Sequence, residues 1–256
     1  MAINWPWGQT TLIEGGPFRT ALVDMTMTSD MAAQAVAYAG ADAHGYADTS
    51  REQSLPWIKV AMDKLLALVA IVILAPVMLA VAVAMFLLDG TPLVFGHSRV
   101  GIGGRSFKCL KFRSMVRDAD RQLEVLLASD PVARHEWDTT RKLTNDPRVS
   151  PLGNFLRRSS LDELPQLFNV LRGEMSLVGP RPITAAEAAH YGRHYAHYTA
   201  VRPGVTGAWQ VGGRSDTTYA ERVAMDVDYV ENWSFGRDLA ILYKTVGVVL
   251  FGKGAR

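Results

Sequence analysis

Apolar positions along this chain fall into three spacings, and the longest stretch has no polar face at all. Residues 65–88, LLALVAIVILAPVMLAVAVAMFLL, carry 24 consecutive uncharged side chains. At about 1.5 Å per residue such a helix reaches roughly 36 Å, enough for a hydrocarbon core of about 30 Å. The run begins more than fifty residues into the chain with no basic stretch feeding it, so it reads as a membrane-inserted helix and not a cleaved leader. Pro76 stands near its midpoint. Proline removes a backbone donor and clashes with the preceding turn, which leaves two readings. One is a kinked spanning helix; the other is a re-entrant helix-break-helix hairpin that returns to the side it entered. Lys59 and Lys64 before the run, and Arg99, Arg105, Lys108, Lys111 and Arg113 after it, make both ends basic and favour the hairpin.

Shorter periods follow. PLVFGH (92–97) and SFKCLKFRSM (106–115) predict two strands joined by a turn at Gly101, Gly103 and Gly104, which lack the spacing of a phosphate-cradling loop. Lys111 and Arg113, two apart, are expected on one strand face, an arrangement open to a polyphosphate or simply to solvent. Residues 117–143 predict charged helices. Leu152, Phe155 and Leu156, then Leu164, Leu167, Phe168 and Leu171, recur at three- and four-residue steps and predict two helices parted at SSLDELP. Thr218 and Glu221 have capping-box spacing ahead of a core-facing stripe of Tyr219, Val223, Val227 and Val230. The tail, DLAILYKTVGVVLFGKGAR, predicts a helix on the membrane surface or in the core. Residues 1–55 show no sustained period and read as a flexible arm, with a short helix around 29–39. The chain thus divides into an arm (1–55), a membrane helix (56–90) and a membrane-associated catalytic domain (91–256).

Charge sharpens this division. Residues 1–58 hold two of the 27 basic and six of the 25 acidic residues, so the overall +2 hides a basic remainder suited to anionic headgroups; no nucleic-acid partner is expected. A single cysteine, Cys109, excludes an internal disulfide and a cysteine-rich zinc site and is expected to pack in its strand. The six histidines show no metal-ligand spacing.

Candidate chemistry concentrates in SSLDELPQLFN (159–169). Starting a helix at Asp162 puts Pro165 at its third position, where no donor is required. Asp162 would then sit at the positive helix end, ionised and facing whatever phosphate docks there. Arg157, Arg158 and Arg181 would offset repulsion between carboxylate and phosphate, and Glu163 fits a magnesium ligand, because such sites use one or two carboxylates plus substrate phosphates. The residues alone also fit a capped helix with surface ion pairs.

KFRSM (111–115), DPRVSPLGNFLRRSSLDELPQLFNVLRGEMSLVGPRP (146–182), RPGVTG (202–207) and YVENWS (229–234) together resemble the bacterial sugar transferase family, the monotopic polyprenyl-phosphate phosphoglycosyl transferases. The likeness runs from Lys59 to the C-terminus. It implies an α+β fold: a mostly helical monotopic membrane protein with a re-entrant hairpin broken at Pro76, a small β-hairpin and amphipathic interfacial helices, on the cytoplasmic face of the bacterial inner membrane. It implies transfer of a sugar 1-phosphate from a UDP-sugar to undecaprenyl phosphate with Mg2+, through a covalent aspartyl-phosphosugar on Asp162. Glu163 matches the magnesium-associated position, and Lys111, Arg157 and Arg181 match phosphate-holding positions; Arg202 and Arg214 match basic motif positions and join Arg113 as weaker candidate phosphate ligands. A homo-oligomer is compatible with the resemblance. The chain departs from the family at Ala75, where a serine often precedes the proline, and at His97-Ser98-Arg99, where a glutamine usually precedes the arginine.

Overall fold

The computed structural model describes residues 56–140, 143–212 and 217–251; the arm and its expected short helix lie outside them. The apolar run forms α1, Trp57–Leu88, helical throughout, Pro76 included. The expected interruption into two helices is absent. One proline deletes one hydrogen bond and bends a helix; it need not end one whose flanking turns are both packed. The packing is a single stripe. Lys59, Asp63, Ala67, Val81 and Met85 are buried, and Ala70, Ile71, Leu74, Met78 and Ala82 pack beside them. These positions follow steps of three and four residues across Pro76, so its two sides keep one helical phase. The other face shows Leu65, Val72, Ile73, Leu79 and Leu87, each more than 60% exposed, which in water would be a strongly unfavourable apolar surface.

Both ends of α1 dock on the same domain. Near its start, Lys59 Nζ lies 2.7 Å from Asp238 Oδ2 and 3.3 Å from Asp63, while Asp63 Oδ2 accepts from Ser176 Oγ at 2.6 Å. Just past its end, the carbonyls of Asp89 and Gly90 accept from the Arg113 guanidinium at 2.7 and 2.8 Å, and Asp89 Oδ2 accepts from Ser150 Oγ at 3.1 Å.

The hairpin forms as expected, with β1 (Val94–Val100) antiparallel to β2 (Ser106–Phe112) in a register pairing His97 with Cys109. Gly103 and Gly104, at φ 64° and 74°, make the turn that side-chain-bearing residues rarely adopt. Helices α2 (Ala119–Ser129) and α3 (Pro131–Thr140) follow, then α4 (Pro151–Arg158), a 3-10 turn (Leu161–Glu163) and α5 (Gln166–Arg172). A short parallel pair, β3 (Ser176–Val178) with β4 (Gly204–Thr206), has no strand signature in the sequence. Here the two backbones nearly touch: a Cβ on Gly204 would stand 2.2 Å from Gly179 N, which fixes the start of the GPRP turn. Between these strands lie a 3-10 stretch (Ala186–His194) and α6 (Tyr195–Ala200); after them come α7 (Ala208–Gly212), α8 (Tyr219–Glu231) and α9 (Phe235–Phe251).

Helix α8 carries the expected capping box, with Thr218 Oγ1 accepting from Glu221 N and Glu221 Oε2 accepting from Thr218 N. Its Tyr229 and Val230 join Ala67 of α1, Cys109 of β2, Val170 of α5 and Ile241 of α9 in one core. A second core under α1's C-terminal half unites Val81 and Met85 with Phe112 and Leu156. Through these two cores α1, β2 and the segment bearing the acidic pair become one packed unit. Helix α9 buries Ile241 and exposes Phe235, Leu239, Tyr243 and Val246 along its other side, the amphipathic form expected of the tail.

Candidate active site

The acidic pair is positioned by what precedes it. Ser150 caps α4, its Oγ accepting from Gly153 N at 2.9 Å. Gly153 lets α4 lie directly against the backbone after β2: a Cβ there would come within 1.9 Å of Ser114 O. That contact brings Arg157 Nε to 2.8 Å from Ser114 Oγ and directs the guanidinium toward the pair. The chain then reverses at Ser160, whose φ of 55° is the one left-handed non-glycine backbone among the described residues. Leu161 and Leu164, on either side of the pair, pack beneath it against the core of Val81, Met85, Phe112 and Leu156.

This corrects the expected register. Asp162 lies in a 3-10 turn, and α5 starts only at Gln166 with Pro165 as its N-cap. Successive three-residue hydrogen bonds, Leu164 N to Leu161 O and Leu167 N to Leu164 O, carry the chain past the proline. Asp162 therefore has no helix terminus to hold it ionised. Burial dominates instead: the residue is 8% exposed, and desolvation pushes its carboxyl up to about 6 from an ordinary 3.8. Lys111 and Arg157 pull the other way, and Glu163 adds to the rise. Lys111 Nζ stands 2.6 Å from Glu163 Oε1 and 4.0 Å from Asp162 Oδ2. The lysine is thus ion-paired to one carboxylate while balancing the charge of the other. A carboxylate titrating near neutrality, poorly hydrated yet ionised at pH 7, is a more available nucleophile than an exposed aspartate.

The structure brings Asp162, Glu163, Lys111 and Arg157 together. Arg181, in the GPRP turn, lies over the Trp209 ring at 5.5 Å, and its charge is felt at Cys109 on the strand that carries Lys111. Cys109 itself is buried, as expected of a packed strand residue. Two predicted phosphate ligands are placed otherwise. Arg113 follows β2 and holds the chain just past the end of α1, its guanidinium donating to the Asp89 and Gly90 carbonyls. Arg202 Nε donates to Gly173 O at 2.8 Å, capping the far end of α5. Nine residues of 3-10 and α-helical backbone separate that point from Glu163, on the order of 15 Å. Arg214 lies outside the described residues. Ser114 and Ser160 escape sequence reasoning, since neither a left-handed serine nor a serine holding an arginine leaves a mark in a single sequence.

Among the described residues no three of His, Cys, Asp and Glu gather as a metal-binding group. Glu163, partly exposed beside Asp162, is already engaged by Lys111 at 2.6 Å, so it offers at most one carboxylate oxygen to a magnesium ion, which would need its remaining oxygens from a bound ligand.

Residues 54–252 match the family described as bacterial sugar transferase. The chain is 52% identical over 204 residues to the UDP-galactose-lipid carrier transferase of Erwinia amylovora, covering 80% of this chain and 43% of that protein. It is 48% identical over 197 residues to the exopolysaccharide production protein ExoY of Sinorhizobium fredii, covering 77% of this chain and 87% of that protein. It is 47% identical over 204 residues to the undecaprenyl-phosphate galactose phosphotransferase of Salmonella typhimurium, again over 43% of that protein. The match thus spans less than half of two of these relatives and most of the third.

Proposed function

The chain belongs to the bacterial sugar transferase family, and on that premise we propose that it transfers a sugar 1-phosphate from a UDP-sugar to undecaprenyl phosphate. UMP is released, and the product opens the membrane stage of exopolysaccharide or O-antigen-type glycan assembly. The observation that carries this reading is the buried Asp162 carboxylate facing Lys111 at 4.0 Å, with Glu163 adjacent.

An Asp162 oxygen attacks the sugar-bearing phosphorus of the donor, and the phosphoanhydride bond breaks with UMP as leaving group. The resulting aspartyl-phosphosugar is then attacked by an oxygen of the lipid phosphate, which forms a lipid diphosphate sugar and returns the carboxylate. Lys111 and Arg157 stabilise the charge that collects on the phosphoryl oxygens in both steps. Arg181, which lies over Trp209, would hold the remaining donor phosphate. Magnesium held by Glu163 and the donor phosphates would neutralise phosphate charge.

Docking of both α1 ends on one domain supports a monotopic arrangement. Lys59 and Asp89 each reach partners on the same folded unit, so a straight crossing would carry that unit's charged surface into the bilayer. We place the domain at the cytoplasmic face of the inner membrane, where a soluble donor and a lipid-borne acceptor meet. Trp57 and Phe95 are 80% and 54% exposed. Cysteines introduced at these two positions should both label from the cytoplasm, buried Cys109 staying silent; labelling from opposite sides would contradict the arrangement.

The function is tested by supplying UDP-galactose or UDP-glucose, magnesium and undecaprenyl phosphate, and measuring UMP and lipid-linked sugar. Both should appear together. Free sugar phosphate in place of lipid product would mean a hydrolase. The rate should also fall as pH drops through about 6, because protonation of Asp162 removes the nucleophile. An acid limb near 4 would mean that burial does not control this group.

A further inference from the structure

We propose that Asn169 is a positioning residue for the transfer, acting through Lys111 by serving as the missing third strand beside β2. The inference rests on the proposed roles of Lys111 and the acidic pair.

The β1–β2 hairpin is a two-stranded sheet, and an isolated pair of strands holds its geometry poorly. Asn169 is completely buried on α5. Its Oδ1 accepts from Leu110 N at 3.0 Å, and its Nδ2 donates to Lys108 O at 2.8 Å. These two bonds bracket Cys109 and supply the acceptor and donor that a neighbouring strand would supply. The second Nδ2 proton goes to Glu174 Oε2 at 2.6 Å. That contact fixes the amide orientation, since the reverse would set oxygen against carboxylate and carbonyl, and NH2 against an amide N–H.

Lys111 is the residue next to Leu110 on β2, while Asn169 is joined to Glu163 through the first turn of α5. The amide therefore ties the strand that carries the cation to the segment that carries the carboxylates. The 2.6 Å pairing of Lys111 with Glu163 and its 4.0 Å approach to Asp162 depend on that tie. Serine at 169 would leave the Leu110 N–H and the Lys108 carbonyl without partners, and β2 would be free to shift relative to the pair. Displacements of about 1 Å can cost on the order of a hundredfold in rate.

A double-mutant cycle on the full-length protein separates positioning from general support of the fold. UMP release from UDP-galactose or UDP-glucose, whichever the wild type uses, is measured for wild type, Asn169→Ser, Lys111→Met and the double variant. Asn169→Ser should lower kcat by roughly 10- to 100-fold with KM for the donor changed less than about threefold. In the Lys111→Met background the same change should cost less than about threefold, because the group it positions is gone. Glu174→Ala, which releases only the far side of the amide, should show a smaller loss that vanishes in the same background. It also keeps the test in hand if Asn169→Ser does not fold. Losses that multiply independently of Lys111, or that fall wholly on KM, would overturn the assignment. A wild-type protein that releases no UMP from any of a panel of UDP-sugars would instead overturn the functional reading itself.

Discussion

Asp162→Asn protein should release no measurable UMP, a loss of about a thousandfold or more, and should unfold at a higher temperature than the wild type. The two effects share one cause. Burial raises the Asp162 carboxyl to about 6, so the ionised form that the proposed chemistry requires is the form the folded protein disfavours. A shift of about two units corresponds to about 3 kcal/mol of folding free energy, as an order of magnitude. The sign follows from proton uptake. Between about pH 4 and pH 6 the folded protein holds a proton that the unfolded chain has lost, so stability falls as pH rises through that window and stays lower above it. Asparagine removes the charge. The variant's advantage should therefore be full above about pH 6 and should disappear below about pH 4, where both proteins are uncharged at this position. At about 2–4 °C per kcal/mol for a domain of this size, melting should rise by several degrees at neutral pH. An inactive variant that melts at or below the wild-type temperature at pH 7.5 would show that Asp162 is held by favourable contacts and is not strained by burial.

Lys59→Met should destabilise the fold more than any single change at the acidic pair or its cations. Lys59 is 2% exposed and lies between Asp63 and Asp238, which are 5% and 1% exposed. Further donors complete the cluster: Ser176 Oγ to Asp63 at 2.6 Å, Tyr229 Oη to Asp238 Oδ1 at 2.8 Å, and Trp233 Nε1 to Asp238 Oδ2 at 3.1 Å. Removing the cation leaves two carboxylates facing each other without a counter-charge. Breaking a buried pair from one side costs about 3–5 kcal/mol, which for this size of domain lowers melting by roughly 6–20 °C. The cluster joins the start of α1 to α9 and β3, so undocking of α1 should precede global unfolding. Thermal melts in detergent micelles, with limited proteolysis near residue 57, read both events. A shift under about 1 kcal/mol, in the range of a solvated surface pair, would mean that the cluster is hydrated and does not anchor the helix.

What can be read from the sequence is local. The apolar run, the hairpin strands around the glycine turn, the Thr218–Glu221 capping box and the two helices flanking SSLDELP depend on neighbours within about a turn, and each appears in the structure at close to its expected place. Pro76 marks the limit of such reasoning: proline chemistry predicts a weakened turn, but the stripe from Lys59 to Met85 that keeps the helix continuous becomes visible only once its partners are known. Asp162 stands out in the sequence, yet the burial that sets its carboxyl does not. An α-helical register accommodates Pro165 on paper, whereas the chain passes it in 3-10 geometry, and burial rather than a helix terminus sets the carboxyl. In the sequence Arg113, two positions from Lys111, and Arg202, in a motif shared with the family, read as phosphate ligands. Both go to backbone carbonyls because tertiary folding delivers those carbonyls to them. The Lys59–Asp238 contact spans 179 positions, and no local pattern announces it.

A covalent bond between Asp162 and phosphorus is the step on which the proposed chemistry depends. Intact-protein and peptide mass spectrometry after brief exposure to UDP-galactose or UDP-glucose, with magnesium and without lipid, tests it most directly. The predicted result is a hexose-phosphate increment on the peptide containing Asp162, formed together with UMP and discharged when undecaprenyl phosphate is added. UMP that forms only when the lipid is present, with no increment on residue 162 at any time, would contradict it.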